Sequence, residues 1–479
     1  MLSQSRFLHG VARFLLALVA STFATITAAQ EPVDSLRPAT MPSFATGAPD
    51  FYRPTFLPTC AAGSIEASAE GCGEGCSETV SELSFCESLL KSQKLTGDWC
   101  GKRSSLTDAG VTFDLSTTQY YQGVANGGLE EAFVYGGRND YFMNLDGEKA
   151  GLWKGSFITL HGETRYGESA NSLTGSLMPV NLMLALPQPN GTVSALSGVK
   201  FTQFLSEDML VYAGKINTMD DFKQPITGAG GLTGFQNTAM MFNPVYARTV
   251  PYSTFGAGFA RLQNMEPVFA VAVFDTNNTP TVSGFDTFFD NGATIFGQIN
   301  LQTNFFDRAG HQGISGTYSS GTYTDISPSA YYDPLDGLVI VSTPQTGSSC
   351  LAYNFDQALY VSSDDPKRKW GVFGNLGIAD NNPSPIRWFA SAGISGSSPV
   401  ESRKSDTFGV GYYYLGVSDQ LKDLAPVLLP LQNEQGAELY YNIQVTPWCQ
   451  ITPDLQVVSP FRERADTSLL AGLRAKIDF

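Results

Sequence analysis

Residues 468–479 read Ser-Leu-Leu-Ala-Gly-Leu-Arg-Ala-Lys-Ile-Asp-Phe. Taken in alternation, Leu469, Ala471, Leu473, Ala475, Ile477 and Phe479 fall on one face, and Leu470, Gly472, Arg474, Lys476 and Asp478 on the other. A repeat of two belongs to a strand, because successive side chains leave a pleated backbone on opposite sides. One face is apolar to the last residue; the other is mostly small or charged. A strand of this kind, ending on an aromatic residue, suits a barrel wall with lipid outside and water inside. It would equally suit the last strand of a soluble sandwich, so the choice falls to the rest of the chain.

From Leu95 onward, strand-length alternating segments recur. About sixteen can be counted, each near the ~10 residues that a tilted strand needs to cross a bilayer. Their centres lie near Leu115, Phe142, Leu160, Phe201, Tyr212, Phe259, Ala270, Ile299, Ser315, Phe355, Gly374, Phe389, Gly411, Tyr441, Leu455 and Leu473. The connections between them decide the class. Short ones fall around Gly147 to Trp153, Glu207, Glu266, Asp307, Asp364 and Pro447, with a slightly longer one near Ser397. Long ones run over Gly167 to Ser197, Thr218 to Tyr252, Asn277 to Gly292, Tyr323 to Ser349 and Ser418 to Gln435. Short turns alternating with long loops are the layout of an outer-membrane barrel, and a sandwich or propeller has no reason to adopt it. The fold class expected is therefore all-β: a transmembrane antiparallel β-barrel with short periplasmic turns and long extracellular loops. Within Thr218 to Tyr252, Phe235 to Met241 could form a helical turn. Loops of that length are usually functional, and one of the two long early loops is expected to fold inward and narrow the lumen.

The bulk numbers agree. The chain has 479 residues, 48 Gly, 20 Tyr and 32 Phe, is 15% charged and carries a net charge of -16. Mean hydropathy is -0.07, which excludes a bundle of membrane helices but not a barrel with a polar lumen. An acidic balance without a basic block excludes nucleic acid as a partner. Arg6 and Arg13 precede an apolar run from Phe14 to Ile26, followed by the small residues Thr27-Ala28-Ala29. This reads as a secretory signal peptide over residues 1–29. Residues 30–94 read as a Cys-bearing periplasmic extension or linker, with a short helix over Ser81 to Lys91, and residues 95–479 as the barrel.

The seven cysteines are Cys60, Cys72, Cys76, Cys86, Cys100, Cys350 and Cys449. In an oxidising compartment disulfides are the first reading. A metal among the first four has neither a zinc-ribbon spacing nor a nearby His to support it. The topology puts Cys100 and Cys449 at the same periplasmic end, where a bridge would need Cα atoms within ~7 Å. Cys350 falls at the opposite end.

At Leu95 to Gly110 the chain reads Leu-Thr-Gly-Asp-Trp-Cys-Gly-Lys-Arg-Ser-Ser-Leu-Thr-Asp-Ala-Gly, then Val-Thr-Phe-Asp-Leu. This resembles the opening of the OprB family of carbohydrate-selective porins. There a Leu-Thr-Gly-Asp-Trp-Gly-Gly stretch, an Arg, and a Leu before an acidic residue and Gly lead into the first strand. Gly127-Gly128, Asn144-Leu145-Asp146 before Gly151-Leu152, Thr446-Pro447-Trp448 and Pro453-Asp454-Leu455-Gln456 also match. Cys100 stands where the family has Gly, and the Cys-bearing extension is not a general family feature. The resemblance, over Leu95 to Phe479, implies a sixteen-stranded outer-membrane barrel that passes small sugars, such as glucose and similar monosaccharides, by passive diffusion. A narrowed, partly charged constriction is implied as well, with no residue of it carried over by position.

Alternation phases the lumen. Ile158, Leu160 and Gly162 share the apolar face of the third strand, which turns Thr159, His161, Glu163 and Arg165 inward. Tyr141, Met143 and Leu145 face outward from the second strand, which turns Arg138, Asp140 and Asn144 inward. The same phasing puts Lys215, Asp356, Arg387, Arg474 and Lys476 inside. Arg at mid-membrane facing lipid would cost ~2–4 kcal/mol, so the inward assignment is also the favoured one. Arg138, Asp140, His161, Glu163 and Arg165 thus make one mixed-sign wall, able to offer sugar hydroxyls donors and acceptors. The same charges could instead only pair with one another. Tyr120 and Phe389 phase inward as candidates for contact with a sugar face. Tyr412, Tyr414, Trp388, Trp370 and Phe274 are expected in the lipid-side aromatic girdles.

An enzyme finds little support. Past residue 29 the His residues are His161 and His311, and neither a Gly-x-Ser-x-Gly elbow nor a His-Glu-x-x-His site is present. No cofactor or metal is asked for. A structural or adhesive barrel and a general non-selective porin are the competing readings, and the sequence is compatible with a monomer or a homo-oligomer.

Overall fold

The computed structural model describes residues 89–479 except 190, 221–222, 225, 227, 230, 328, 334–336, 342 and 425–429. The signal peptide, its cleavage after Ala29 and nearly all of the 30–94 extension lie outside the described residues; of the expected Ser81 to Lys91 helix only its end, from residue 89, is described, and it is helical.

Sixteen strands close into an antiparallel barrel. They are β1 Val111–Gly128, β2 Phe133–Asp146, β3 Ser156–Gly167, β4 Val193–Phe204, β5 Met209–Asn217, β6 Ser253–Gln263, β7 Glu266–Asp275 and β8 Ala293–Phe305. The second half holds β9 Arg308–Thr324, β10 Pro344–Val361, β11 Lys369–Ala379, β12 Ile386–Ser397, β13 Thr407–Val417, β14 Glu434–Thr446, β15 Cys449–Ser459 and β16 Asp466–Asp478. Every expected strand centre falls inside one of them. Two small antiparallel pairs, Lys223–Gln224 with Gly228–Ala229 and Ser329–Asp333 with Gly337–Val341, belong to connections and stay outside the wall.

Closure is made by β1, which pairs with β2 on one side and β16 on the other; Tyr120 stands opposite Arg474, and Ser116 opposite Asp478. A barrel has no free edge, so each strand's backbone groups are met by its neighbours, as lipid requires. The seam is sealed at the short-turn rim by the stretch ahead of β1. Leu95 N donates to Asp478 O (2.8 Å), Phe479 N to Leu115 O (2.8 Å), and Arg103 Nη2 to Phe479 O (2.9 Å). Arg103 comes from a short helix, Lys102–Asp108, and lies over the Trp99 ring. The terminal alternation therefore serves as read: Leu469 and Leu473 are exposed on the outer wall, while Leu470 and Arg474 are buried inside.

The connections obey the expected asymmetry. At one rim they are tight: 264–265 and 306–307 have both residues at positive φ (Asn264 54°, Met265 63°, Phe306 58°, Asp307 57°). Both-left-handed two-residue turns match the right-handed twist of paired strands. At the other rim run the long connections 168–192, 218–252, 276–292, 325–343 and 418–433.

Two phase assignments are corrected. Arg387 does not face the lumen: a register irregularity between Ile386 and Trp388 turns Ile386 inward and leaves Arg387 exposed beside Asp419. Phe274 is not a girdle residue. Strand β7 gives Phe269, Val271 and Val273 to the outer face, so Phe274 packs inside with Ile216 and Ala272. The other girdle residues stand as expected, with Tyr412 exposed on the outer wall, Trp388 stacked on Tyr414 (5.1 Å) and Trp370 on Tyr360 (6.3 Å). Cys100 and Cys449 do share the short-turn rim, yet Cys449 is a free thiol, so no bridge joins it to Cys100. The ladder holds Cys449 half-buried between Thr446 and Ile477, whereas Cys100 sits exposed in the turn before the short helix. Cys350 is buried toward the opposite rim, opposite Thr317 and Ala379.

Candidate functional site

The connection 218–252 touches strands on every side of the barrel, which only a loop inside the lumen can do. Its Gly231 carbonyl accepts from Tyr120 Oη on β1 (3.0 Å) and from Arg474 Nη1 on β16 (2.9 Å). Phe235 packs against Phe373 on β11 (5.6 Å) and Tyr440 on β14 (4.9 Å). Asn237 Nδ2 donates to Gln456 on β15 (3.1 Å), and Asn243 Nδ2 to Leu376 O on β11 (2.8 Å). Thr249 O accepts from Thr294 on β8 (2.7 Å), while its hydroxyl meets Thr317 on β9 (2.7 Å). The helical turn expected here forms over Thr238–Met241; the Asn237 side chain caps it at Ala239 N (3.0 Å), and all four of its residues are buried. Polar partners on all sides offset the cost of burying that backbone.

The wall makes room for the loop. A Cβ on Gly411 of β13 would come 2.5 Å from Met240 Sδ, and one on Gly409 would come 2.7 Å from the Phe235 ring. Glycine at these inward positions lets the loop approach the strand.

The connection 168–192 also turns inward, so both early loops narrow the lumen rather than one. Leu177 N and Met178 N donate to the Glu434 carboxylate, and Gln456 Nε2 donates to Val180 O (3.0 Å). The two loops bond each other as well: Thr238 N donates to Pro179 O (3.0 Å), and Leu182 N to Gln236 O (3.2 Å).

The mixed-sign wall on β2 and β3 lies beneath these loops. Arg138, Asp140, His161 and Glu163 all point inward and are buried. Arg138 Nε bonds Asp140 Oδ1 (2.8 Å), and its Nη2 pairs with Glu163 Oε2. Tyr252 Oη donates to Glu163 Oε2 (2.7 Å) and accepts from Asn217 Nδ2 (3.0 Å). His161 stands between two carboxylates, with Nε2 3.2 Å from Asp140 and Nδ1 2.8 Å from Asp220. Its ring stacks on Phe142 (3.9 Å). Asp140, His161 and Glu163 are close enough together to ligate an ion, but the Arg138 guanidinium already bonds both carboxylates. Arg165, one step nearer the long-loop rim, holds the other loop: Nε donates to Leu184 O (2.6 Å) and Nη1 to Gly191 O (2.6 Å).

Tyr120 and Phe389 point inward as phased, but each is only 1% exposed, packed in the cluster the loops build with the wall. Lys215 donates to Val282 O (2.6 Å) and Asp356 pairs with His311 (2.9 Å), both on the inner face. Sequence reasoning missed Asn217, Asp220, Tyr252, Glu434, Glu438 and Gln456. Alternation along β14 and β15 does place Glu434, Glu438 and Gln456 inside; nothing local says that they receive a loop.

The family model of the carbohydrate-selective porins, OprB family, matches residues 130–479. It starts past the Leu95 to Gly110 stretch whose residues resembled that family. Porin B of Pseudomonas aeruginosa is 22% identical over 435 residues, covering 81% of this chain and 92% of that protein. The high-pH structure of Pseudomonas putida OprB superposes with a TM-score of 0.70 at 21% identity, over 81% of this chain and 99% of that one. The low-pH structure of the same protein gives 0.51 at 17% identity, over 81% and 99%. With a closed sixteen-stranded wall and this match, the chain belongs to the OprB family of carbohydrate-selective porins of the outer membrane.

Proposed function

We propose that the barrel lets small neutral sugars, monosaccharides such as glucose among them, diffuse passively into the periplasm past the two inward loops. The observation that carries this reading is the pair of loops seated inside the barrel on a wall of mixed charge. Arg138, Asp140, His161, Glu163 and Arg165 form part of that polar wall, and Tyr120 on β1 and Phe389 on β12 pack with the loops beside it. Pairing of opposite charges keeps this buried wall from setting up a strong net field for an ion, and the wall acts on the solute through the loops that it holds. The protein acts as a channel and not as an enzyme. Its outer apolar band contacts outer-membrane lipid. Residues 1–29 are removed on export, and residues 30–94 form a periplasmic extension ahead of the barrel.

Liposome swelling with purified protein across sugars of rising size tests the reading. Swelling that falls off above monosaccharide size supports it. A flat response across sizes and charges would favour a general porin, and no swelling a purely structural barrel.

A further inference from the structure

The inner loop 218–252 is held at its two ends by one buried network. It leaves the wall directly after Asn217, the last residue of β5, and rejoins it at Tyr252, next to Ser253 of β6. Across that base Thr218 N donates to Tyr252 O (2.9 Å), Thr218 Oγ1 to Pro251 O (2.8 Å), and Asn217 Nδ2 to Tyr252 Oη (3.0 Å). The loop is thus closed on itself before it enters the lumen. The same hydroxyl then reaches across to β3 and β2: it donates to Glu163 and lies 3.4 Å from Arg138 Nη2. Three residues into the loop, Asp220 makes the second tie, to His161.

We propose that the Tyr252 hydroxyl is the clasp of the constriction. With Asn217 it fastens both ends of the inner loop to the Arg138–Glu163 pair and so sets the aperture of the pore. Tyr252, Asn217, Arg138 and Glu163 are positioning residues: they act on the solute through the loop they hold. Burial supports this role, because all four lie out of reach of a molecule in the lumen. A carboxylate so buried needs its donors, and Glu163 receives them from one wall residue and one loop residue. The seat is nevertheless not fully satisfied. Arg138 Nη1 and Asp140 Oδ2 are buried with no hydrogen-bond partner among the described residues. Lifting the loop would let water reach both, which opposes the clasp and brings held and lifted states closer in free energy.

This rests on the porin reading above, but its test reads ion current, so the two can fail separately. The full chain is placed in planar bilayers and compared with Tyr252→Phe, which keeps the ring and removes the hydroxyl, and with Asn217→Ala. The expected result is higher single-channel conductance in both, with added sublevels and a raised sugar size limit in liposome swelling. Glu163→Gln combined with Tyr252→Phe should add little to either change alone, because both break the same link. Tyr412→Phe, on the outer wall, should leave conductance as it was. Mobility of unheated against boiled samples shows which variants have folded; if Tyr252→Phe does not fold, Asn217→Ala carries the test with every charge in place. Folded clasp variants with unaltered conductance and size limit would overturn the proposal. A conductance rise in a protein that proves blind to sugars would uphold the clasp and sink the sugar reading instead.

Discussion

Glu434 and Glu438 share the inward face of β14, and each accepts two consecutive backbone N–H groups from a different inner loop. Glu434 takes those of Leu177 and Met178, and Glu438 those of Gln236 (2.6 Å) and Asn237 (2.9 Å). One strand thereby anchors both loops, at a part of the wall separated from β2 by β1, β16 and β15. A carboxylate suits this task because both oxygens accept, and two N–H groups can be met at once.

Glu438→Gln should loosen the inner loop. The amide keeps the shape but offers one accepting oxygen, and turns an NH2 toward the second N–H. Leaving a buried N–H of this kind without its acceptor costs ~1–3 kcal/mol. Bilayer recordings are expected to show higher and noisier conductance, with the unheated gel mobility of a folded barrel retained. Quiet recordings at the unaltered level would mean that Glu438 does not hold the loop.

Gly411→Val should unseat the helical turn at Thr238–Met241. Its side chain would enter the space of Met240 Sδ, which lies 2.5 Å from the position of a Cβ. Overpacking a close contact costs ~1–3 kcal/mol. Urea unfolding in liposomes should register the loss, and the sugar size limit should move. A variant as stable and as selective as the native chain would show that the loop yields freely at this point.

Arg165→Ala and Glu163→Ala test the polar wall in the two loops separately. Arg165 holds 168–192 through Leu184 O and Gly191 O, while Glu163 holds 218–252 through Tyr252. Both should shift ion selectivity, in opposite directions because the lost charges differ in sign, and both should weaken block of the current by sugar. Selectivity and block equal to the native values in both variants would remove these residues from the constriction.

Leu473→Arg tests the outer face. Leu473 is 49% exposed on the outer wall of β16, and an Arg facing lipid near mid-membrane costs ~2–4 kcal/mol. Folding equilibria in lipid vesicles should report a loss of that order. A neutral effect would mean that this part of β16 is covered by something other than lipid.

The positions of the strands were legible because each strand must satisfy two solvents at once. Apolar side chains toward lipid and polar ones toward water leave a period of two that no distant contact is needed to read. The terminal stretch from Leu469, the inward row from Arg138 to Arg165 and the alternation of short and long connections all follow from that constraint. Phasing failed where the pleat is interrupted or both faces are apolar. The irregularity beside Ile386 shifted Arg387 by one place, and β7 is apolar on both faces from Phe269 to Phe274, so alternation there has no polar mark to fix its phase.

What the inner loops do was decided only by the folded barrel. Their partners are remote in sequence: Asn237 meets Glu438 across 201 residues, Met178 meets Glu434 across 256, and Tyr252 meets Glu163 across 89. A loop of mixed composition carries no periodicity, so sequence places it between two strands without saying whether it turns outward or inward. Closure of the wall brings Glu434, Glu438, Glu163 and Arg474 to one lumen, and there the unmet N–H and C=O groups of the two loops find donors and acceptors. Sequence alone determined a barrel and its two faces; the inward fold of both loops was set by hydrogen-bond partners that become neighbours only once β1 has paired with β16.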